Sequence, residues 1–152
     1  MTSFPNLTLR FDGSCSPNPG EGGSGYVFSQ ENGNLVLQGR YYVGTNATNN
    51  VAEYFGLIAG LRSFRKSGNG TDTLYIEGDS ELVINQLKGK YKVTSPRLKK
   101  LHRMALKELE RGKGISFNSY KIEWIDRRFN IRADALANDA RVEKTSWVKD
   151  YY

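Results

Sequence analysis

Four acidic residues occupy positions from which their carboxylates could meet and bind metal ions. Each one ends a predicted strand or begins a predicted helix: Asp12, Glu53, Asp79 and Asp134. Such strand ends and helix starts can converge at one end of a sheet. Carboxylates gathered there repel one another, and cations would relieve that repulsion. Because oxygen ligands without cysteine or histidine favour hard metals, the pattern predicts Mg²⁺ or Mn²⁺, and two divalent ions would balance the four charges.

Each acid also has a simpler explanation when it is considered alone. Asp12 could begin a turn, and the spacing of Asn50 and Glu53 is that of a capping box with Asn50 as the helix cap. Asp79 could cap a helix, and Asp134 would be favoured by the dipole of a helix's first turn. The prediction of a metal site therefore depends on the joint placement of the four acids.

The pattern of apolar residues predicts the elements that must carry these acids. Alternation and short apolar runs predict five strands, at 7–12, 25–28, 35–43, 74–78 and 116–125. Helical spacing predicts four helices, at 51–66, 80–87, 96–112 and from 132 onward. Residues 13–20, which are rich in glycine and proline, are predicted to be a long turn. This order predicts an α/β fold, a five-stranded mixed sheet flanked by helices.

The composition is typical of one globular domain, spanning residues 1–152, with 38% hydrophobic and 25% charged residues. No run reaches the roughly eighteen apolar residues that a membrane helix needs, and the N-terminal residues lack the layout of a signal peptide. Cys15 is the only cysteine, which excludes an internal disulfide and a cysteine-based zinc site. We expect a cytoplasmic monomer without a membrane partner.

The net charge of +6 indicates an anionic partner, and its distribution strengthens that indication. Residues 88–113 contain many lysines and arginines, whereas their only acids are Glu108 and Glu110. A local excess of one sign repels itself, and a phosphate backbone would relieve it. The segment therefore predicts a basic surface for nucleic acid, with a solvated helix face as the plainer alternative.

Four short motifs, in order, resemble those of type 1 ribonuclease H, which cleaves the RNA strand of RNA–DNA hybrids. They are FDGSCSPNPG at 11–20, TNNVAEY at 48–54, EGDS at 77–80 and NIRADALA at 130–137. One such motif would be weak evidence, but four in the same order, covering most of the chain, are specific. The resemblance implies the ribonuclease H-like fold, which is consistent with the mixed sheet flanked by helices expected from the order of strands and helices.

The resemblance also implies site residues and a reaction. The family's catalytic metal ligands correspond to Asp12, Glu53, Asp79 and Asp134, and its substrate contacts correspond to Asn18, Thr48, Asn49 and Asn50. Neutral amides suit contacts to sugar hydroxyls and phosphates across a shallow minor groove. The implied reaction is two-metal-ion hydrolysis, with two Mg²⁺ or Mn²⁺ ions, that leaves 5′-phosphate and 3′-hydroxyl ends.

The chain departs from many relatives in the loop before the last motif, which lacks their histidine. The loop resembles the histidine-lacking branch of the family, in which Trp124, Arg127 and Asn130 recur at these spacings. Arg127 is the candidate catalytic helper, because a guanidinium can steady a phosphate although it cannot act as a base. The sole histidine, His102, falls inside the basic helix, where a surface or packing role is expected.

A second departure is the short connection at 88–92, where some relatives insert a separate basic helix.

Three alternative functions remain open from the sequence. The chain could be a DNA nuclease with the same fold, a non-catalytic module that binds RNA–DNA hybrids, or a domain excised from a reverse transcriptase.

Overall fold

The computed structural model describes residues 2–152 and is built on one mixed sheet with helices on both faces. The strands are β1 (Ser3–Ser16), β2 (Gly20–Ser29), β3 (Leu35–Ala47), β4 (Gly70–Gly78), β5 (Phe117–Trp124) and β6 (Trp147–Asp150). The helices are α1 (Asn49–Ser67), α2 (Glu81–Leu87), α3 (Pro96–Gly112) and α4 (Ile131–Glu143), with a 3₁₀ turn at Arg127–Phe129. The described helices are all too short or too polar to cross a membrane.

The sheet has the strand order β5-β4-β1-β2-β3-β6, which confirms the mixed α/β fold. The strands linked by hairpins, β1 with β2 and β2 with β3, are antiparallel. Strand β4 pairs with β1 and β5 in parallel, because the connections between these strands pass through helices. The carboxyl ends of β4 and β5 therefore lie at the edge of the sheet where the helices after them begin.

The predicted number of strands was wrong by one, because β6 adds a sixth strand beside β3. All four residues of β6 are exposed, so no alternation of buried and exposed side chains marks it in the sequence. Backbone pairing, such as that of Val148 with Gly39, holds the strand in place.

The predicted long turn at 13–20 was also wrong in extent, since β1 continues to Ser16 and β2 begins at Gly20. Glycine here serves close packing as much as turning. A Cβ added at Gly25 would lie 2.3 Å from the carbonyl oxygen of Ala133, so only glycine lets α4 rest directly on β2. Gly25, farther along β2, thus lets the last helix pack against the sheet.

The main core lies between the sheet and α1, with α3 packed on the outer side of α1. Phe55 of α1 lies beside Arg97 and Leu101 of α3, and farther along both helices Arg62 bonds Glu108. Helices α1 and α3 therefore run in the same direction, with their N-terminal ends together. A smaller apolar cluster joins α4 to the opposite face of the sheet.

Candidate active site

Three of the four predicted carboxylates meet at one end of the sheet. Asp12, Glu53 and Asp79 each offer an oxygen, and these oxygens all lie within 4.8 Å of one another. Asp12 is 4% exposed and Glu53 is 6% exposed, whereas Asp79 is half-buried at the end of β4. The three acids come from β1, α1 and β4, so tertiary packing alone brings them together.

Close packing of β1 against α1 brings Asp12 and Glu53 together. A Cβ added at Gly13 would lie 2.3 Å from the backbone nitrogen of Glu53, which only glycine avoids. The amide of Gly13 also donates a 2.9 Å hydrogen bond to Oδ1 of Asp12 and fixes that carboxylate. Gly13 therefore allows the helix to approach and orients the neighbouring acid.

The helix caps exclude two of the simpler explanations for these acids. Helix α1 is capped by Thr48, whose hydroxyl accepts the amide of Val51, which excludes the alternative explanation of Glu53 by a capping box with Asn50. The extended backbone of Thr48 places its side chain over the first turn, which leaves Glu53 one turn farther in and turned toward Asp12. Ser80 rather than Asp79 caps α2.

Burial and mutual repulsion raise the pKa values of the clustered acids. Burial raises the pKa of Asp12 to about 7, and the negative charge of Asp79 adds to the effect. Burial likewise raises the pKa of Glu53 well above its ordinary value, with Asp12 as the next cause. The pKa of Asp79 is raised by burial, although a hydrogen bond from Asn130 opposes the shift. Such a cluster favours protons or cations over bare negative charge.

The donor set fits a hard divalent cation. Oε2 of Glu53 is buried and has no hydrogen-bond partner among residues 2–152, which is costly for a carboxylate oxygen unless another group binds it. The three clustered acids supply only oxygen ligands, which Mg²⁺ and Mn²⁺ prefer. The acidic cluster can therefore hold a divalent metal ion.

Asp134 lies near this cluster but outside the group of three. It stands in the first turn of α4, as the sequence predicts. Its negative charge contributes to the raised pKa values of Asp12 and Asp79, so it faces the same site. Its role as a fourth ligand stays a prediction.

Two side chains around Asp79 hold it in place, and only their recurrence in related loops pointed to them in the sequence. Nδ2 of Asn130, a buried residue, donates to Oδ2 of Asp79 at 3.2 Å and to the carbonyl oxygen of Phe11 at 2.9 Å. Nε1 of Trp124 donates to the carbonyl oxygen of Asp79 at 3.1 Å. The exposed Arg127 is close enough for its positive charge to lower the pKa of Asp79.

The predicted substrate residues come together beside the N-terminus of α1. Oδ1 of Asn18 accepts the backbone amide of Asn49 at 3.3 Å, which joins the turn after β1 to the helix start. Thr48 uses its hydroxyl as the cap. Within the described residues the side chains of Asn49 and Asn50 have no hydrogen-bond partner, and Asn49 is exposed. Their amides are free to contact a ligand.

His102 has the packing role expected for it. Its Nε2 lies 3.1 Å from the carbonyl oxygen of Gln86, and its ring meets the edge of Tyr54 with the centroids 6.4 Å apart.

The surface of the basic segment, residues 88–113, carries a larger excess of positive charge than its composition suggests. Glu108 is buried against arginines, which leaves Glu110 as the exposed acid of α3. The exposed cations of α3 include Arg97, Lys99, Lys100, Arg103 and Lys107.

Comparison with known proteins gives consistent similarities. The model of a family described as reverse transcriptase-like matches residues 10–140. The chain is 39% identical to the ribonuclease HI of Halobacterium salinarum, over 86% of this chain and 61% of that relative, so it spans less than two thirds of the relative's length. It is 30% identical to the ribonuclease H of Idiomarina loihiensis, over 92% of this chain and 90% of the relative. The structure of LC11-RNase H1 in complex with an RNA/DNA hybrid is 31% identical, with a TM-score of 0.82, over 91% of this chain and 98% of that one.

Proposed function

Because the chain belongs to the type 1 ribonuclease H family, we propose that it is an endonuclease that hydrolyses the RNA strand of RNA–DNA hybrids. The observation that carries the proposal is the convergence of Asp12, Glu53 and Asp79 at one end of the sheet. A protein that only bound a polyanion would gain nothing from buried negative charges facing its ligand. Clustered carboxylates are useful there when cations screen them and take part in the reaction.

We assign the binding of two Mg²⁺ or Mn²⁺ ions to Asp12, Glu53, Asp79 and Asp134. When bound, such ions activate water and stabilise the charge on the departing 3′ oxygen, which leaves 5′-phosphate and 3′-hydroxyl ends. Asn130 orients the carboxylate of Asp79 through its hydrogen bond. Arg127 steadies the scissile phosphate through its forked guanidinium.

The hybrid is recognised in part by short polar side chains gathered beside the start of α1. The residues assigned to it are Asn18, Thr48, Asn49 and Asn50, and the hydrogen bond from Asn49 to Asn18 supports their acting together. Short neutral side chains suit the minor groove of a hybrid, where the 2′-hydroxyl distinguishes RNA from DNA. The structure of a relative bound to an RNA/DNA hybrid supports the same class of substrate.

The exposed basic face of α3 binds the phosphate backbone of the hybrid. Arg97 and Lys100 lie beside Phe55, two residues after Glu53 on α1, so these cations stand at the same end of the molecule as the acidic cluster. Phosphate contacts supply affinity and register without reading the sequence. The acidic cluster thus cleaves the RNA strand, and the basic face of α3 binds the hybrid duplex.

The decisive experiment incubates the chain with end-labelled RNA–DNA hybrid, duplex RNA and duplex DNA, each with Mg²⁺ and with EDTA. We expect cleavage of the RNA strand of the hybrid, in Mg²⁺ only, and products that carry a 5′-phosphate. Cleavage of duplex DNA instead would favour a DNA nuclease of the same fold. Binding of the hybrid without turnover in Mg²⁺ would favour a non-catalytic binding module.

The same preparation tests three further proposals. We propose that residues 1–152 form one catalytic domain, that the chain is a monomer and that it acts in the cytoplasm. Turnover by the purified chain tests the first, and light scattering at assay concentration tests the second. A fluorescent fusion expressed at its natural level tests the third.

A further inference from the structure

The arginine two residues before Asp12 joins the sheet to the loop at 125–130. Nε of Arg10 donates to Oε1 of Glu77 at 2.9 Å, and its Nη1 donates to the carbonyl oxygen of Phe129 at 3.0 Å. Arg10 and Glu77 are paired in the register of β1 and β4, so they precede Asp12 and Asp79 by two residues each. Side chains two apart on a strand point to the same face of the sheet.

The carbonyl that Arg10 binds belongs to the peptide group joining Phe129 to Asn130. A peptide group is planar, so holding its oxygen also fixes the direction of its nitrogen, which belongs to Asn130. The side chain of Asn130 in turn donates to Oδ2 of Asp79. A continuous series of bonds therefore runs from Glu77 through Arg10 and the 129–130 peptide to the carboxylate of Asp79.

Apolar packing does little to hold this loop. The residues of the 3₁₀ turn are all exposed, and Phe129 keeps 56% of its surface in contact with solvent. A cavity of about 170 Å³ lies between the loop and the sheet, bordered by Arg10, Phe129, Asn130 and Arg132. With an open cavity beneath it, the loop depends on directed hydrogen bonds for its position.

We propose that Arg10 is a positioning residue, which acts through the Phe129–Asn130 peptide to hold the Asp79 carboxylate in its productive orientation. This inference rests on the proposed function for its effect on turnover. It goes beyond that function in assigning a role to an arginine that bonds none of the four assigned metal ligands directly. The contrary view is that the Arg10–Glu77 pair is an ordinary half-exposed ion pair, which would contribute little to anything.

The two views differ in what substitution of Arg10 changes. If Arg10 positions Asp79, Arg10→Met lowers kcat by about tenfold, since small displacements of reacting groups are costly, while KM changes by less than about twofold. Arg10→Lys retains charge and length but lacks the forked guanidinium, so it also lowers kcat. Glu77→Gln keeps an acceptor for Nε of Arg10, so it should retain most of the kcat that Glu77→Ala loses.

A matched control uses a polar pair at the other end of β4, where β4 lies beside β5. Nδ2 of Asn118 donates to Oδ1 of Asp72 at 2.9 Å between β4 and β5, and both residues are exposed. Asp72→Ala removes an exposed polar contact of the same sheet without touching the loop. We expect it to leave kcat and KM at the values of the unmodified chain.

Amide hydrogen exchange supplies a readout that needs no activity. The amides of Arg128, Phe129 and Asn130 are hydrogen-bonded within the loop, and their exchange can be followed in the presence of EDTA. Arg10→Met should speed exchange in peptides covering 125–130 at least about fivefold while leaving those covering 72–78 unchanged, because local opening is confined to the loop. The amides of residues 125–130 should exchange more slowly in Glu77→Gln than in Glu77→Ala.

The outcomes are distinguishable from those of the proposed function. Loop exchange and kcat at parental values in both Arg10→Met and Arg10→Lys would overturn the positioning role. A chain that cleaves no hybrid would overturn the proposed function, whereas the exchange data would still decide whether Arg10 holds the loop. If Arg10→Met fails to fold, Arg10→Lys and the two Glu77 variants carry the test.

Discussion

Nδ2 of Asn130 lies 3.2 Å from Oδ2 of Asp79 and 2.9 Å from the carbonyl oxygen of Phe11, so one buried amide joins β1, the residue after β4 and the start of α4. Three segments that are distant in sequence are thereby held in one geometry. The geometry of the candidate active site depends on this amide, because Asp12 follows Phe11 directly and Asp134 lies one turn into the helix that Asn130 precedes.

Replacing that amide should cost both stability and turnover. Asn130→Ala leaves the buried carbonyl of Phe11 without its donor, which should lower the free energy of unfolding by about 1–3 kcal/mol. Asp79 loses its hydrogen bond as well, so kcat should fall at least about tenfold. Urea denaturation and steady-state cleavage measure the two effects. Asn118→Ala, which removes an exposed amide, should change stability by less than about 0.5 kcal/mol, and equal losses in both variants would contradict the prediction.

Asp12→Asn should abolish cleavage while the hybrid still binds. The substitution keeps the size of the side chain but removes a charged ligand from the acidic cluster. Binding depends mainly on phosphate contacts elsewhere, so the dissociation constant should change by less than about threefold. Filter binding and single-turnover cleavage test the two statements. Near-normal turnover in this variant would remove Asp12 from the site.

The metal-free protein should lose stability as pH rises through the range set by Asp12. Its pKa is raised by burial from 3.8 to about 7, so between these values the folded state holds a proton that the unfolded chain has released. Stability from this group is therefore present below about pH 4 and lost as pH rises toward 7. This rise of about three pKa units corresponds to roughly 4 kcal/mol in the free energy of unfolding, at about 1.4 kcal/mol per pKa unit.

The stability difference between the Asp12→Asn variant and the unmodified chain isolates this effect. The difference should be small near pH 4 and should favour the variant by up to roughly 4 kcal/mol near pH 8 in EDTA. Relief of the repulsion on Glu53 adds in the same direction. Millimolar Mg²⁺ should stabilise the unmodified chain and narrow the difference. A difference that is constant with pH would refute the prediction.

Glu108 should behave in the opposite way with pH. It is buried between α1 and α3, where it binds Arg62 at 3.1 Å and Arg111 at 3.2 Å and also bonds Arg65. Burial opposes its ionisation, but the hydrogen bonds from Arg65 and Arg62 prevail and lower its pKa. Its stabilisation is therefore present above the unfolded-state pKa, near 4.3, and is lost in more acidic solution.

Glu108→Ala leaves three arginines around an empty site. The loss in free energy of unfolding should be about 2–4 kcal/mol near pH 7 and should shrink below about pH 4, since removing one partner of a buried ion pair is costly. Thermal and urea denaturation across pH measure this. The exposed Glu110 supplies the control, and Glu110→Ala should cost less than about 0.5 kcal/mol. Equal losses in the two variants would show that the arginine cluster contributes nothing.

The basic face of α3 should determine how binding depends on salt. Replacing Arg97 and Lys100 with Gln removes two exposed cations at the end of α3 nearest the acidic cluster. The slope of log Kd against log salt should fall by up to about 2, because each lost phosphate contact lowers it by about 0.9. The matched control replaces Lys66 and Lys149 with Gln, since Lys66 lies about 20 Å along α1 from Glu53. Equal slopes in the two double variants would exclude a specific role for α3.

Local patterns in the sequence were sufficient for the order and type of most elements. Period-two alternation marks β1 and helical spacing marks α1, because one face of each is buried against the main core. The same rule explains the missed strand, since β6 buries no side chain and is held by backbone bonds that leave no pattern. The four acids were recognised from their motifs, and three of them do converge.

Only the tertiary structure decided how the acids are held. Thr48 rather than Asn50 caps α1. Both residue types can cap a helix, so the sequence does not distinguish them. The cap is set by the residue whose backbone is extended just before the first turn, and that residue is Thr48. The register that pairs Arg10 with Glu77 depends on how β1 slides against β4, and no local preference sets it. The sequence by itself determined which residues could bind metal; the packing of β1, α1, β4 and α4 determined their distances, burial and supporting bonds, because those depend on contacts between segments far apart in the chain.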